Sequence, residues 1–225
     1  MFKTKEKLEN LLLIIILVTI LIILLPIEII KGITVFTLVT SIIYLLRLYI
    51  AKRLYSTLNH YLKINNYDQA IICAIKHDNI LNLRNYRILS KIALAKSYYN
   101  LGDFNKSFDN LKNIELREYD NKYIKGLYCY EVAELNCLLG KDKEIVTFYE
   151  ENEKQINDLR NYLVLKSEKI EFDNTLLFIN TYIKIINKNK LTATSIINDL
   201  EDDWSINEKD KRNYKILKNK LKKLK

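Results

Sequence analysis

The residues from Lys91 to Ile114 read KIALAKSYYNLGDFNKSFDNLKNI and show how most of the chain folds. Apolar and aromatic side chains return every three or four positions on both sides of the Leu-Gly-Asp sequence at 101–103, which is the spacing of amphipathic helices. Strand-like alternation is nearly absent. The stretch therefore predicts one helix, a short polar turn at Gly102 and a second helix.

Two further segments show the same arrangement. YSTLNHYLKINNYDQAIICAIKH begins at Tyr55, and LYCYEVAELNCLLGKDKEIVTFYEEN begins at Leu127. Asn65 and Gly140 occupy the turn position that Gly102 occupies, so the turns are 37 and 38 residues apart. A period of this length indicates a stack of helix hairpins, in which each hairpin buries its apolar face against its neighbours.

The stretch from Ala95 to Ser107 resembles a tetratricopeptide repeat, through the aromatic pair Tyr98–Tyr99, the Gly-Asp-aromatic turn and the small residue three positions later. The first segment matches the same pattern at Tyr61, Tyr67 and Ala70, and the third matches it more weakly at Gly140. The resemblance implies an all-α solenoid over residues 53–206, with a fourth hairpin between Phe172 and Leu200. The helices of this chain are about a turn longer than the family pattern.

The resemblance also implies a concave groove that binds a protein or peptide partner. Tyrosine is suited to such a surface because it supplies a large amphipathic contact area. The side chains that the family register places in the groove, and that we expect to contact the partner, are Tyr55, Asn59, Lys96, Tyr99, Tyr130 and Glu134.

The first fifty residues have a different composition. Leu11 to Leu25 reads LLLIIILVTILIILL without a charge, and the apolar runs 8–30 and 33–50 are each close to the length that crosses a hydrocarbon core of ~30 Å. Lys31 and Gly32 suit a tight turn between the two runs. Residues 1–52 are thus predicted to form a transmembrane helical hairpin. A cleaved signal peptide is the alternative for the first run, but no small-x-small cleavage site follows it.

Basic residues flank the two predicted spans unequally. Lys3, Lys5 and Lys7 precede the first span, Lys31 lies in the turn, and Arg47, Lys52 and Arg53 close the second. The positive-inside rule then predicts a protein of the cell membrane with both termini in the cytoplasm and with bilayer contact through residues 8–50.

The C-terminal segment 207–225 carries most of the net charge of +9, with nine basic and two acidic residues, whereas residues 54–206 hold 20 basic and 22 acidic ones. Tyr214, Leu217, Leu221 and Leu224 fall on one helical stripe. We expect an amphipathic helix that caps the solenoid. The alternative is a basic surface that contacts anionic lipid through Lys218, Lys220, Lys222 and Lys223. Nucleic-acid binding is disfavoured, since no aromatic platform or reading helix accompanies the charge.

The sequence offers little catalytic chemistry. Cys73, Cys129 and Cys137 have no CxxC spacing and are expected to be free thiols, and neither histidine lies in a metal or nucleophile motif. We therefore expect no enzyme activity, no cofactor and no metal. The function predicted is a membrane-anchored protein–protein interaction scaffold or adaptor. The alternative is a peptide- or toxin-sensing regulatory or immunity protein of the membrane.

Overall fold

The computed structural model describes residues 19, 27–80, 83–118, 120–203 and 208–223. All regular elements in this part are helical, which confirms the all-α class. They are α1 (Ile27–Lys63), α2 (Tyr67–Ile80), α3 (Arg84–Asn100), α4 (Phe104–Lys112), α5 (Lys122–Leu138), α6 (Asp142–Leu159), a 3-10 turn (Arg160–Tyr162), α7 (Lys166–Ile186), α8 (Lys190–Asp203) and α9 (Glu208–Lys222). The chain divides into two compact units, Met1–Arg53 and Leu54–Lys225.

In the first unit, α1 begins at Ile27 and continues without a break through Lys31 and Gly32. The turn predicted at these two residues is therefore wrong. A glycine inside a helix costs only about 1 kcal/mol relative to alanine, which the apolar helix on both sides tolerates. The predicted first span, 8–30, lies almost entirely outside the described residues, as do Lys3, Lys5 and Lys7.

Part of α1 has the properties of a membrane span. From Lys31 to Lys63 the helix reaches a mean hydropathy of 1.9 and is long and apolar enough, by length and composition, to cross a bilayer near the N-terminus. Its apolar side chains are open, and Phe36 is 70% exposed. The hydroxyls of Thr37 and Thr40 donate to carbonyl oxygens one turn earlier, each at 2.9 Å. Such internal hydrogen bonding is what an apolar surrounding requires of polar groups.

The second unit is built from antiparallel helix pairs. The last turns of α1 pair with α2, so that the thiol of Cys73 lies 3.8 Å from the carbonyl oxygen of Leu54. The pairs α3–α4, α5–α6 and α7–α8 follow, each joined by a short turn, and α9 packs against α7 and α8. The four turns each place one residue in the left-handed region, at Asn65, Gly102, Gly140 and Lys188. The first three are the turn positions that the repeat pattern indicated.

The starts of α3 and α5 lie at one edge of this unit, together with the part of α1 that begins at Leu54. The rings of Tyr55 and Tyr86 are 6.1 Å apart, and the rings of Tyr123 and Tyr162 are also 6.1 Å apart. We call this side the loop edge, because residues 113–118, 120–121 and 160–165, which connect helices, lie there. The short turns form the opposite side, which we call the turn edge.

The core of the second unit runs between the helix pairs. Its largest cluster combines α5, α6, α7 and α8 with one residue of α9, Leu217, which is 0% exposed. Helices α5 and α6 approach closely at Gly126, where a Cβ atom would lie 2.8 Å from the carbonyl oxygen of Gln155. The C-terminal segment is thus part of the core on one side, through the apolar stripe that the sequence indicated.

Candidate functional site

Four of the six residues predicted to contact a partner line one pocket. Lys96 and Tyr99 come from α3, and Tyr130 and Glu134 come from α5. Each pair is three or four residues apart and therefore shares a helix face. The pocket has a volume of about 220 Å³. We call it the α3–α5 pocket, and its remaining lining residues are Asn100, Glu131, Glu171, Glu208, Lys209 and Arg212.

The other two predicted residues, Tyr55 and Asn59, lie beside the pocket on the last turns of α1. Both are half-buried. Burial raises the pKa of the Tyr55 phenol, and a hydrogen bond with Asn59 and the charge of Lys96 offset part of that rise. The structure thus brings Tyr55 close to Asn59 and within electrostatic range of Lys96, so that three of the predicted residues adjoin one another outside the pocket's interior.

The interior of the pocket is covered by α9. Tyr99, Tyr130 and Glu134 are only 6%, 7% and 1% exposed. The ammonium group of Lys209 reaches in between two carboxylates, 3.2 Å from Glu134 and 3.3 Å from Glu171. The surface that the family register assigns to a groove is therefore occupied, in this part of the molecule, by the chain's own C-terminal helix.

Lys209 and the acidic groups around it favour one another's charged forms. Burial alone would lower the pKa of the Lys209 ammonium, but the carboxylates and phenols facing it outweigh burial and raise this pKa well above its usual range. For Glu171, burial raises the pKa, and the nearby Lys209 and Lys96 more than compensate, so the pKa is lowered. At neutral pH the pocket therefore holds a cation between anions, which is the only arrangement that makes burial of such charges tolerable.

A second cation of α9 extends this network. The Arg212 guanidinium donates to the Tyr99 hydroxyl, which in turn donates to Glu134 at 2.6 Å. The guanidinium also lies over two aromatic rings, 4.8 Å from the centre of Tyr99 and 5.0 Å from that of Phe104. Stacking of this kind is favourable for arginine because its guanidinium is weakly hydrated.

Glu131 differs from the other acidic residues of the pocket. It is 6% exposed, and its carboxylate has no hydrogen bond or ion pair within the described residues. Burial, as the main cause, raises the pKa of this carboxyl group, and the charge of Lys96 compensates only in part. A buried carboxylate without a bonded partner is unfavourable in the free protein. A cationic group entering the pocket would remove that penalty.

The lysines predicted to contact lipid have two different environments. Lys218 hydrogen-bonds the hydroxyl of Tyr214 at 3.2 Å, and Lys220 pairs with Asp142 at 2.6 Å. Lys222 and Lys223 are exposed. The charge of Lys220 therefore holds α9 to the start of α6, whereas the last two lysines project from the end of the helix.

The other six lining residues of the pocket, among them Glu131, Glu171, Lys209 and Arg212, were not predicted from the sequence as partner contacts. The only local signal for them was spacing, since Lys209 and Arg212 share a helix face.

The cysteines and the potential metal ligands form no further site among the described residues. All three cysteines are buried free thiols, and burial raises the pKa of Cys129 to about 12. No cluster of potential metal ligands occurs in the part of the chain that the structure describes.

Comparisons with known proteins identify no relative: no family model, curated protein or solved structure matches this chain.

Proposed function

We propose that this protein is a membrane-anchored interaction protein, whose tetratricopeptide-like repeat domain holds another protein at the inner face of a membrane. The observation that carries this proposal is the convergence of Lys96, Tyr99, Tyr130 and Glu134 on one pocket, with Tyr55 and Asn59 beside it. These residues lie on three different helices, and they bring aromatic rings and both signs of charge to a pocket whose interior α9 covers and whose open side carries Lys96. Aromatic and charged side chains of this kind suit recognition of a group from a protein or peptide.

The pocket favours a partner that presents a basic side chain. Lys209 provides an internal example, since its ammonium group is held between Glu134 and Glu171. Glu131 offers a further carboxylate, with no bonded cation in the described part of the chain. Because α9 covers one side of the pocket, a partner reaches Glu131 from the side of Lys96, which is exposed. We therefore propose a lysine or arginine of the partner as the group that enters.

The proposed arrangement in the membrane keeps two spans, with the predicted first span ending before α1 begins at Ile27 and the predicted second span, 33–50, inside α1, and with both termini in the cytoplasm. The basic flanks of the apolar segments support this topology, and the long apolar helix supports a membrane location.

The topology is tested by cysteine labelling. Native Cys73 is a poor probe for it, because this thiol is buried and would stay unlabelled on either side of the membrane. A cysteine at exposed Asp68 is a better one. Labelling of Asp68→Cys by an impermeant reagent added to intact cells would contradict the topology.

The interaction is tested with a photo-crosslinking amino acid placed at Asn59 in the full chain in its native membrane. We expect a discrete crosslinked product that weakens at least several-fold when Glu131→Gln is added, since the partner's cation then loses its carboxylate. A crosslinker at exposed Lys154 on α6 is the control. Equal products from both positions, or a product from Asn59 that Glu131→Gln leaves unchanged, would contradict the proposal.

The peptide-sensing alternative has one observation in its favour. A pocket of about 220 Å³ has room for one or two side chains and not for the face of a folded partner. A short peptide with a single basic residue would fit that space. Titration of the detergent-solubilised full chain with such peptides separates the alternatives. Saturable binding of a free peptide that depends on Glu131 favours a sensor, whereas crosslinking to a large protein without peptide binding favours a scaffold.

A further inference from the structure

The connection between α6 and α7 exposes apolar side chains at the loop edge. Val164 and Leu165 are 86% and 53% exposed, and Ile170, one turn into α7, is 51% exposed. Tyr162 precedes them and is 37% exposed. Single exposed apolar residues are ordinary, whereas a group of them marks a surface that binds another apolar group. We call residues 162–165 the apolar loop.

Two contacts hold the apolar loop in place. The guanidinium of Arg160 donates to both carboxylate oxygens of Asp173, at 2.8 and 2.9 Å. The backbone N–H of Leu165 donates to the carboxylate of Glu168 at 3.3 Å. A loop that is held before a ligand arrives adds little ordering cost to binding. Acidic and basic residues both occur between Asp158 and Asp173, so the surroundings of the loop favour an uncharged apolar group over a charged surface.

One face of α5 connects the apolar loop with the α3–α5 pocket. Tyr123, Leu127 and Glu131 follow one another at intervals of four residues and therefore lie on one stripe of this helix. At the loop edge the ring of Tyr123 lies 6.1 Å from that of Tyr162, centre to centre. At the other end of the stripe Glu131 lines the pocket. Eight positions separate Tyr123 from Glu131, which is roughly 12 Å along a helix.

Tyrosine side chains line the path from the pocket to the apolar loop. Burial, as the main cause, raises the pKa of the Tyr123 phenol, and the nearby Tyr55, Glu168 and Glu131 raise it further. The ring of Tyr55 in turn lies 6.1 Å from that of Tyr86. Tyr55, Tyr86 and Tyr123 are each half-buried, so part of each side chain is accessible. A ligand chain that runs along this path therefore meets aromatic rings.

The charge at the pocket end gives the direction of such a chain. Glu131 is 6% exposed, and its carboxylate has no hydrogen bond or ion pair within the described residues. On the side of α9 the pocket is closed, because Lys209 lies 3.2 Å from Glu134 there. The backbone that carries a cation to Glu131 thus continues on the open side, past Tyr123 and towards the apolar loop.

We propose that the partner binds as an extended segment, with its lysine or arginine at Glu131 and an aliphatic side chain about four to six positions away packed on Val164 and Leu165. This inference rests on the proposed function and adds a second anchor to it. An extended chain advances ~3.3 Å per residue, so about four residues cover the distance from Glu131 to Tyr123, and the loop follows. Two linked anchors bind more tightly than either alone and fix the register of the segment.

The second anchor is tested with a photo-crosslinking amino acid at Val164 in the full chain in its native membrane, in parallel with the one at Asn59. The control position is Leu191, which is 88% exposed and lies at the turn edge. Mass spectrometry then identifies the crosslinked residues of the partner. We expect positions 59 and 164 to capture one segment of one protein, at sites within about ten residues of each other. Glu131→Gln should weaken both products several-fold, and position 191 should not capture this segment.

Substitutions in the apolar loop measure what it contributes. Val164→Ser with Leu165→Ser should weaken the product from Asn59 about tenfold, which corresponds to ~1.4 kcal/mol of lost apolar contact. The matched control is Leu191→Ser with Ile64→Ser, because these side chains are 88% and 53% exposed and lie at the turn edge. The control should leave the product unchanged. All four side chains are exposed, so the substitutions spare the core.

The outcomes separate this inference from the proposed function. A partner captured at 59 but not at 164, or captured there through a distant segment, would remove the second anchor and leave the proposed function in place. A product at 164 that Glu131→Gln leaves unchanged, or a crosslink from 164 to lipid, would mean that the loop binds something unconnected with the pocket. Equal effects of the two double substitutions would also overturn the inference. No product at either position would contradict the proposed function itself, and this inference with it.

Discussion

Replacement of Leu217 by alanine tests whether α9 is a cap that the second unit needs for its stability. Leu217 is 0% exposed and belongs to the core cluster that includes Phe178 and Tyr182 of α7. Leu221 lies one turn further along the same helix, makes contact with the same cluster and is only half-buried. The two leucines therefore allow the same atoms to be deleted from the same helix at two levels of burial.

The expected cost differs between the two positions. Deleting three buried carbon groups removes roughly 2 kcal/mol of transfer free energy, and the cavity left in a core that relaxes only in part adds to that loss. Leu217→Ala should therefore lower the free energy of unfolding by about 3–4 kcal/mol. Leu221→Ala leaves a site that solvent already reaches, so we expect roughly 1 kcal/mol. The sequence places both leucines on one helical stripe, and only their difference in burial separates their expected costs.

Thermal unfolding in detergent, followed by circular dichroism, measures this difference on the full chain. For a unit of this length, about 3–4 kcal/mol corresponds to a fall in Tm of about 6–16 °C, against about 2–4 °C for Leu221→Ala. Limited proteolysis after Lys209 should accelerate in the first variant only, because release of α9 then costs less. Equal shifts for the two variants, or a shift for Leu217→Ala no larger than that expected for Leu221→Ala, would refute α9 as a cap.

Three further predictions concern the second unit. Gly126→Ala should lower Tm, because the new Cβ atom would lie 2.8 Å from the carbonyl oxygen of Gln155 and 3.0 Å from the Cβ of Leu159. Overpacking of this kind costs about 1–3 kcal/mol, which exceeds the gain in helix propensity. An unchanged Tm would mean that α6 moves away at little cost. Glu131→Gln should raise Tm at neutral pH, since burial raises the pKa of this carboxyl group and its charged form is unfavourable. That advantage should shrink as pH falls and the native carboxyl takes up its proton, and a lower Tm at neutral pH would indicate a stabilising partner instead. Hydrogen bonding to Arg84, as the first cause, lowers the pKa of Asp120, so its stabilisation is present above its ordinary pKa of 3.8 and lost as pH falls below it. Asp120→Asn should therefore lower Tm at neutral pH, and its Tm should fall less than that of the native protein as the pH becomes acidic. Parallel plots of Tm against pH for the two proteins would contradict this prediction.

The helical class, the turn positions and the burial of Leu217 were predictable from local pattern. Side chains one helical turn apart share a face wherever the helix lies, so an apolar stripe shows which side of a helix is buried. Gly102 and Gly140 marked turns because their left-handed backbone is costly for other residues. The break at Lys31–Gly32 was mistaken because a single glycine only weakens a helix.

What covers the predicted groove was decided by tertiary structure alone. Lys209 meets Glu134 although 75 positions separate them in the chain. Both residues carry charges that the sequence displays, but the sequence contains many lysines and glutamates, and local periodicity does not say which of them pair. Burial determines which of these residues pair, because a charged side chain is stable in the interior only next to an opposite charge. The net charge of the C-terminal segment 207–225 suggested a surface element. For the same reason, two of its cations, Lys209 and Arg212, nevertheless face inward. The amino-acid pattern determined the helices and their buried faces, whereas the three-dimensional arrangement of α3, α5, α7 and α9 determined which charges the pocket leaves for a ligand.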